Sequence, residues 1–348
     1  MPIRNEIDYI DIVLDAIVKQ DYGLANYEVL IADGLSDDGT YDIIRYYQKK
    51  YDNIKLILNN QKIVPTGFNK ALSIAKGSII TRVDGHTIIS KDFIKNSIEK
   101  LTEKDCSCAG GSIENISIGN ISHSINIAQS SKFGVGGVAF RQRNLKGKFV
   151  DTLAFGSYKR EIFDQIGGYD EELVRNQDDE FNFRLIQHGE RIWLDPSIKS
   201  KYYNRSNYTM LFFQYFYYGF YKIRVFQKRR SFSSYRHLIP LLFILSIIVT
   251  NILAIFFENA LPLKVLTIVY ILFAFIFATI GTSRYVLNKN NLIIICYPIL
   301  VAFSFLILHI SYGMGLLFAL FYFRNKWHDN ELKDKSFIVD LEQLSVKK

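Results

Sequence analysis

Beyond residue 237 the chain turns apolar: residues 238–257 form a 20-residue run without a charged side chain. At 1.5 Å per helical residue it reaches about 30 Å, the thickness of a bilayer's hydrocarbon core. Residues 265–281 form a second run, extended by residues 261–263 before Lys264. Residues 292–323 form a third, 32 residues long and interrupted by His309, Ser311, Gly313 and Gly315. At about 48 Å it reads either as one span with an interfacial continuation or as two short helices. Three such runs in succession are hard to hide in one globule, so transmembrane helices are expected over 237–323.

Charge gives an expected orientation. Residues 196–257 hold no Asp or Glu but carry Lys199, Lys201, Arg205, Lys222, Arg224, Lys228, Arg229, Arg230 and Arg236. Basic residues ahead of the first span hold that side in the cytoplasm. The loop with Arg284 and Lys289 belongs on the same side after two crossings. The tail, with Arg324, Lys326, Lys333 and Lys335, favours a cytoplasmic end and an even number of crossings. Residues 208–227 are dense in aromatic rings among cations, which suits a helix in the headgroup layer. Three cysteines (Cys106, Cys108 and Cys296) make no disulfide framework, and no secretory signal opens the chain, so the N-terminal part reads as intracellular.

Ahead of the apolar region, strands and helices alternate over short loops. Strands are expected at 27–33, 54–58 and 78–83, and helices at 8–19, 38–51, 65–76 and 92–101. That order implies βαβ crossovers and a largely parallel sheet, with ligands bound outside the strands' carboxyl ends. Asp33 and Asp84 both end strands on that edge. The opening Met1-Pro2-Ile3-Arg4-Asn5-Glu6 leaves only a stub where a strand is expected, so the natural start is expected upstream.

Three clusters carry candidate chemistry. In Asp33-Gly34-Leu35-Ser36-Asp37-Asp38-Gly39-Thr40, Asp33 is placed to accept a hydrogen bond from a nucleobase or ribose. Ser36 or Asp37 reads as a helix N-cap, with acids in the first turn. In Arg82-Val83-Asp84-Gly85-His86, a carboxylate and an imidazole two residues apart suit one divalent ion facing a diphosphate. In Asn176-Gln177-Asp178-Asp179-Glu180, three acids open a helix, as dipole partners or with one serving as general base.

Taken in order, these pieces resemble the family 2 inverting glycosyltransferases with the GT-A fold, and among them the membrane-anchored enzymes of succinoglycan-type exopolysaccharide synthesis. Further matching pieces are Asn69-Lys70-Ala71, Ala75-Lys76-Gly77, Phe155-Gly156-Ser157-Tyr158 and Ile166-Gly167-Gly168-Tyr169-Asp170. Gly134-Val135-Gly136-Gly137 belongs to the same series. The resemblance implies an α/β class: a cytosolic GT-A domain, Rossmann-like with a mostly parallel sheet, over 1–205. An amphipathic interfacial segment (206–236), transmembrane helices (about 238–257, 261–281 and 292–323) and a polar tail (324–348) follow.

The resemblance also implies roles. Asp33, the Pro2 to Glu6 loop with Arg4, and Asn69 would hold the nucleotide. Asp84 matches the first acid of the D-x-D metal motif, and His86 takes the place of the second, for Mn²⁺ or Mg²⁺. Asp178 matches the catalytic base by its six-residue spacing to Arg184, with Asp179 the alternative and Gln177 in place of the usual Glu. Gln214, Lys222 and Arg205 fall on the acceptor side.

The implied activity is transfer of one sugar, by inversion, from a nucleoside diphosphate sugar (UDP-linked) to a polyprenyl-diphosphate-linked saccharide. It would take place at the cytoplasmic face of the cell membrane, with no nucleic-acid partner. Processive synthases carry Gln-x-x-Arg-Trp after the base; here Gln214-Tyr215-Phe216-Tyr217-Tyr218 lacks the Arg and Trp. A processive synthase and a catalytically silent nucleotide-binding membrane protein are the alternatives.

Overall fold

The computed structural model describes residues 1–135, 146–229, 235–286 and 297–327. Gly136, Gly137, Arg230, Lys289, residues 292–296 and the polar tail beyond Trp327 lie outside the described residues. The chain forms two compact units. One comprises residues 1–114 and the described part of 139–203; the other, the described parts of 115–138 and 204–329.

In the first unit the elements are β1 (Pro2–Ile3), α1 (Ile10–Val18), β2 (Val29–Asp33), α2 (Thr40–Lys50), β3 (Ile54–Leu58), α3 (Val64–Ile74), β4 (Ile79–Thr81), β5 (Thr87–Ile89), α4 (Phe93–Glu103) and β6 (Cys108–Ile116). After an excursion through α5 (Gly119–Ser130) and α6 (Lys132–Val135), the chain returns as β7 (Lys148–Val150), β8 (Gly156–Lys159), α7 (Arg160–Ile166), α8 (Gln177–Gln187) and β9 (Ile192–Tyr203).

The local reasons are plain in the residues. In α1, Ile10, Val13, Leu14 and Ile17 recur at helical spacing and are all buried. β2 is buried at all five positions, as a strand covered on both faces must be. Pro65 stands in the first turn of α3, where its missing N–H costs nothing.

β1, β2 and β3 pair in parallel, with Pro2 opposite Ala32 and Val29 opposite Ile54. The largely parallel sheet expected from the sequence stops there. The other strands form a second sheet in the order β4-β8-β6-β9-β5, with β7 also on β9. The pairings β4–β8, β6–β8, β5–β9 and β7–β9 are antiparallel. The reason lies after β4: the chain turns through Asp84-Gly85-His86 straight into β5, with no crossover helix to return a parallel neighbour.

Under α8 lies an aromatic core. Phe68 stacks on Tyr169 with ring centres 4.2 Å apart, and Phe163 stacks on Phe181 at 4.8 Å. Tyr158 meets Phe181 edge-on at 5.4 Å. Phe181 is fully buried; removing such a ring costs about 3–5 kcal/mol. Because Phe181 sits one turn into α8, this packing fixes where the acids at the helix start emerge.

The second unit holds α5, α6, α9 (Tyr208–Arg229), α10 (Ile239–Phe256), α11 (Leu261–Val286) and α12 (Tyr297–Tyr322). The aromatic segment expected in the headgroup layer is α9, and its rings divide. Tyr215 and Phe226 are buried with Leu211 and Ile223, whereas Phe213 and Tyr217 face outward. Three helices are long and apolar enough to cross a membrane: Arg236–Phe256, Leu261–Ser283 and Tyr297–Tyr322. The third apolar run is one continuous helix over its described residues.

Candidate active site

Arg82 and Asp84 are two apart just after β4, and their side chains meet. Arg82 donates from Nε to Asp84 Oδ1 at 3.0 Å and from Nη2 to Oδ2 at 3.3 Å. Its Nη1 lies 3.5 Å from Asp178 Oδ2 and 3.4 Å from the Tyr169 hydroxyl. The guanidinium is buried, its carbon 5.6 Å from the centre of the Tyr169 ring. The two acids that the sequence singles out therefore share one cation.

The electrostatics separate the pair. Burial pushes the Asp84 carboxyl up, but Arg82 and His86 outweigh it and hold it below the ordinary value. Asp178 goes the other way: desolvation raises it, Asp179 adds to the rise, and Arg82 only partly opposes them. Its side chain stays 28% exposed, open enough to meet a substrate. Burial pushes the Tyr169 hydroxyl up to about 12, so it remains a neutral donor or acceptor beside Arg82.

Asp178 is set by the start of α8. Asn176 precedes the helix in the left-handed region (φ 63°), and Asp178 Oδ1 accepts from Asp179 N at 3.0 Å. Arg184 pairs with Glu180 at 2.8 Å and donates to Gly168 O at 2.7 Å and to Ile166 O. It thereby ties the helix to the turn that carries Tyr169. The neighbour Gln177 is buried, and its Oε1 has no hydrogen-bond partner among the described residues.

His86 does not turn to a second acid of its own turn. Its Nδ1 lies 2.7 Å from Glu6 Oε1, and its ring meets Tyr202 edge-on at 4.9 Å. A Cβ on Gly85 would sit 2.7 Å from Glu6 Cγ, so the close approach requires glycine there. Glu6, expected on the nucleotide, is instead committed to His86. Among the described residues no group of three or more His, Cys, Asp and Glu is placed to hold a metal ion.

Asp33 is fully buried at the end of β2; Ser36 donates to its carboxylate from backbone N (3.1 Å) and from Oγ (2.5 Å). The helix-capping role expected of Ser36 and Asp37 is not what they do. Gly39, at φ 100°, precedes α2 and has no side chain to cap it; Asp38 Oδ1 accepts from Thr40 N at 3.0 Å instead. Ser36 Oγ accepts from Asn5 N, Asp37 Oδ1 from Asn5 Nδ2, and Asp38 Oδ2 from Ile7 N. The acidic turn latches the loop after β1, because that loop brings unpaired N–H groups within reach of these side chains. Arg4 is exposed on this loop, its side chain against Gly34. Pro2 is buried in the ladder opposite Ala32, just ahead of this loop.

Asn69 also departs from its expected place. Its Nδ2 donates to Tyr169 O (2.8 Å) and Glu171 Oε1 (2.9 Å), and its Oδ1 accepts from Tyr169 N (2.8 Å). Both amide hydrogens are engaged, so Asn69 clasps the Tyr169 turn and has no donor left for a nucleotide. Arg205, Gln214 and Lys222 belong to the second unit. Gln214 donates to the Tyr218 hydroxyl at 3.1 Å, Lys222 is buried with Nζ 5.8 Å from the centre of the Phe226 ring, and Arg205 is half-buried.

The sequence reading assigned no role to Arg82, Tyr169 or the Glu6–His86 pair. For Arg82 a signal existed: an Arg two positions before an Asp at a strand end lies on the same face.

Comparison with known proteins follows the same line. The family model described as Glycosyl transferase family 2 matches residues 1–167. Over 329 residues the chain is 31% identical to the dolichyl N-acetyl-alpha-D-glucosaminyl phosphate 3-beta-D-2,3-diacetamido-2,3-dideoxy-beta-D-glucuronosyltransferase of Methanococcus voltae, covering 91% of this chain and 96% of that protein. It is 28% identical over 243 residues to the succinoglycan biosynthesis protein ExoA of Rhizobium meliloti (strain 1021), covering 69% and 73%. The mannosyltransferase PcManGT from Pyrobaculum calidifontis, solved with GDP-Man and Mn²⁺, shares the fold with a TM-score of 0.55 at 16% identity, over 89% of this chain and 85% of that one. On this sequence match, with a GT-A fold and two acids brought to one guanidinium, the chain belongs to glycosyl transferase family 2 and is a glycosyltransferase.

Proposed function

We propose that this enzyme moves one sugar from a nucleoside diphosphate sugar, UDP-linked, to a lipid-linked saccharide at the cytoplasmic face of a membrane, with inversion at the anomeric carbon. The observation that carries the reading is the meeting of Asp84 and Asp178 on Arg82. Asp178, raised above its ordinary value by burial, takes the proton from an acceptor hydroxyl. The acceptor oxygen bonds to the anomeric carbon as the bond from that carbon to the diphosphate breaks on the opposite face. Asp33 and the Arg4 loop hold the nucleotide.

A divalent ion fits the donor set. Asp84 offers a carboxylate kept ionised, and Glu6 on His86 Nδ1 orients the ring so that Nε2 is the free donor. A carboxylate on the far nitrogen is the usual support of a metal-binding histidine. Two protein donors suffice for Mn²⁺ or Mg²⁺ when substrate phosphates and water complete the shell. Such an ion would neutralise charge on the departing diphosphate.

The lipid acceptor is supported by the dolichyl relative, whose name places its acceptor on a lipid phosphate, and by the apolar helices. Attaching enzyme and acceptor to one layer raises their effective concentration. The product belongs to an exopolysaccharide or another cell-surface glycan.

The test is transfer by detergent-purified protein from a panel of nucleotide sugars to a polyprenyl-diphosphate saccharide. One added sugar of inverted configuration, lost on chelation and restored by Mn²⁺ or Mg²⁺, is the expected result. A ladder of products would make the enzyme processive, and no turnover of any donor would leave it a binding protein.

A further inference from the structure

The pairing of α9 with α12 constrains how the second unit meets a membrane. The two helices run in the same direction, in register, along their whole length. At one end the Tyr208 hydroxyl donates to Leu300 O at 3.3 Å and its ring meets Phe303 at 5.0 Å. Midway, backbone meets backbone: a Cβ on Gly315 would sit 2.1 Å from Phe216 O, and one on Gly219 would sit 2.2 Å from Tyr312 O. At the other end Gln227 Nε2 donates to Phe323 O at 2.8 Å, and Arg224 Nη1 to Lys326 O at 3.3 Å. Twenty-two residues of α9 span about 33 Å, so the contact is as long as a hydrocarbon core is thick.

Hydrogen-bonded groups lie at one depth. Between Gln227 and Phe323 the chain passes through α10, α11 and α12. If each crossed once, those two residues would stand about 30 Å apart on opposite faces. Since they touch, an even number of these helices cross. Tyr208 and Leu300 give the same condition for α9, α10 and α11. Apart from no crossing at all, which the membrane reading excludes, two solutions remain: α10 and α11 cross while α9 and α12 do not, or α9 and α12 both cross with only one of α10 and α11.

Burial and charge choose between them. In their most apolar windows α10 and α11 are 6% and 11% buried, whereas α12 is 50% buried. A helix crossing lipid by itself exposes apolar side chains all round, as α10 and α11 do with Leu242, Ile248, Ile255, Ile268, Leu272 and Phe275. In α12, Val301, Phe305, Leu308, Leu316 and Ala319 are buried in the unit's own core, which accounts for its hydropathy without a crossing. In the first solution Lys222, Arg224, Lys228, Arg229, Arg236, Arg284, Arg324 and Lys326 fall on one side. The opposite end, residues 257–264, carries only Glu258 and Lys264. That is the charge asymmetry a membrane hairpin shows.

We propose that α10 and α11 form a transmembrane hairpin, and that α9 and α12 lie together in the interfacial layer on the side where the hairpin enters and returns. The outward Phe213, Tyr217, Phe303, Phe318, Phe321 and Tyr322 give this pair an aromatic face for the headgroup region. The hairpin makes two crossings, the even number that the basic tail implies.

The proposal rests on the membrane reading above and on none of its chemistry. Single cysteines at exposed positions test it in the full chain in native membranes: Ser206→Cys before α9, Asn259→Cys between α10 and α11, and Asn325→Cys after α12. Each is labelled with a membrane-impermeant maleimide in intact cells and in inverted vesicles, above the background of the parent chain. The expected result is that positions 206 and 325 label from one face and lose labelling from the other, with position 259 reversed. Labelling of 206 and 325 from opposite faces, or of 259 from the same face as 325, would overturn the hairpin. Release of the parent chain from membranes by alkaline carbonate would overturn it together with the membrane reading.

Discussion

Asp84 and Asp178, 94 positions apart in the chain, meet on the guanidinium of Arg82. The Arg grips Asp84 with two nitrogens and reaches Asp178 with the third, and the two carboxyls are driven in opposite directions. Asp84 is held below its ordinary value, and Asp178 is raised above its own. Burial first, and Asp179 beside it, lift Asp178, while Arg82 holds Asp84 down more firmly than it holds Asp178.

Arg82 should therefore tune the acid limb of the reaction. Its charge lowers Asp178 against burial and Asp179, so Arg82→Gln should raise that carboxyl further. The base works only when ionised, and the acid limb of kcat/KM should move to higher pH by about one unit or more, each unit being ~1.4 kcal/mol. Arg82→Lys, which keeps the charge, should shift the limb less. The Gln variant also strips two partly buried acids of their counter-ion, at a cost on the order of 3–5 kcal/mol in stability. An unmoved limb in a folded Arg82→Gln enzyme would take the base elsewhere.

Glu6 should act through His86. Glu6→Gln keeps the shape and removes the charge on the ring's far nitrogen, which typically weakens metal affinity by about 10–100-fold. The Mn²⁺ concentration giving half-maximal transfer should rise by that factor, with kcat at saturating metal largely retained. A metal titration identical to the parent's would remove His86 from the donor set.

Asn69 provides the test of reassignment. If it clasps the Tyr169 turn, Asn69→Ala loses three hydrogen bonds inside the protein, about 2–4 kcal/mol at roughly 1 kcal/mol each. Thermal unfolding should fall by several degrees. Donor affinity, measured below the transition by calorimetry, should change little. A large loss of donor affinity with an unchanged unfolding temperature would restore the direct nucleotide contact.

How far the sequence could be read follows from the range of each signal. Periodicity and turn chemistry are local, and the reading placed α1, α2, α3 and α4 within a few residues, as it did β2, β3 and β4. Strand pairing is not local. Nothing in the three residues of β5 says that they pair with β9 more than a hundred positions later, so the antiparallel sheet stayed hidden. The same distinction holds at the site. Asp84 and Asp178 were legible as acids at a strand end and a helix start. Their common partner was not, because Arg82 reads as one more strand residue until Tyr169 and Asp178 are brought to it. Asn69 shows the same limit: its motif suggests a ligand contact, while its bond to a backbone 100 positions away is invisible in the sequence.

The most direct measurement is single-turnover sugar transfer beside equilibrium donor binding for Asp178→Asn. The substitution preserves shape and removes the proton acceptor. Binding of the nucleotide sugar should stay within about twofold of the parent, while transfer falls by roughly 10²–10⁴. Transfer at the parental rate, with the variant folded and donor bound, would contradict the account at its centre.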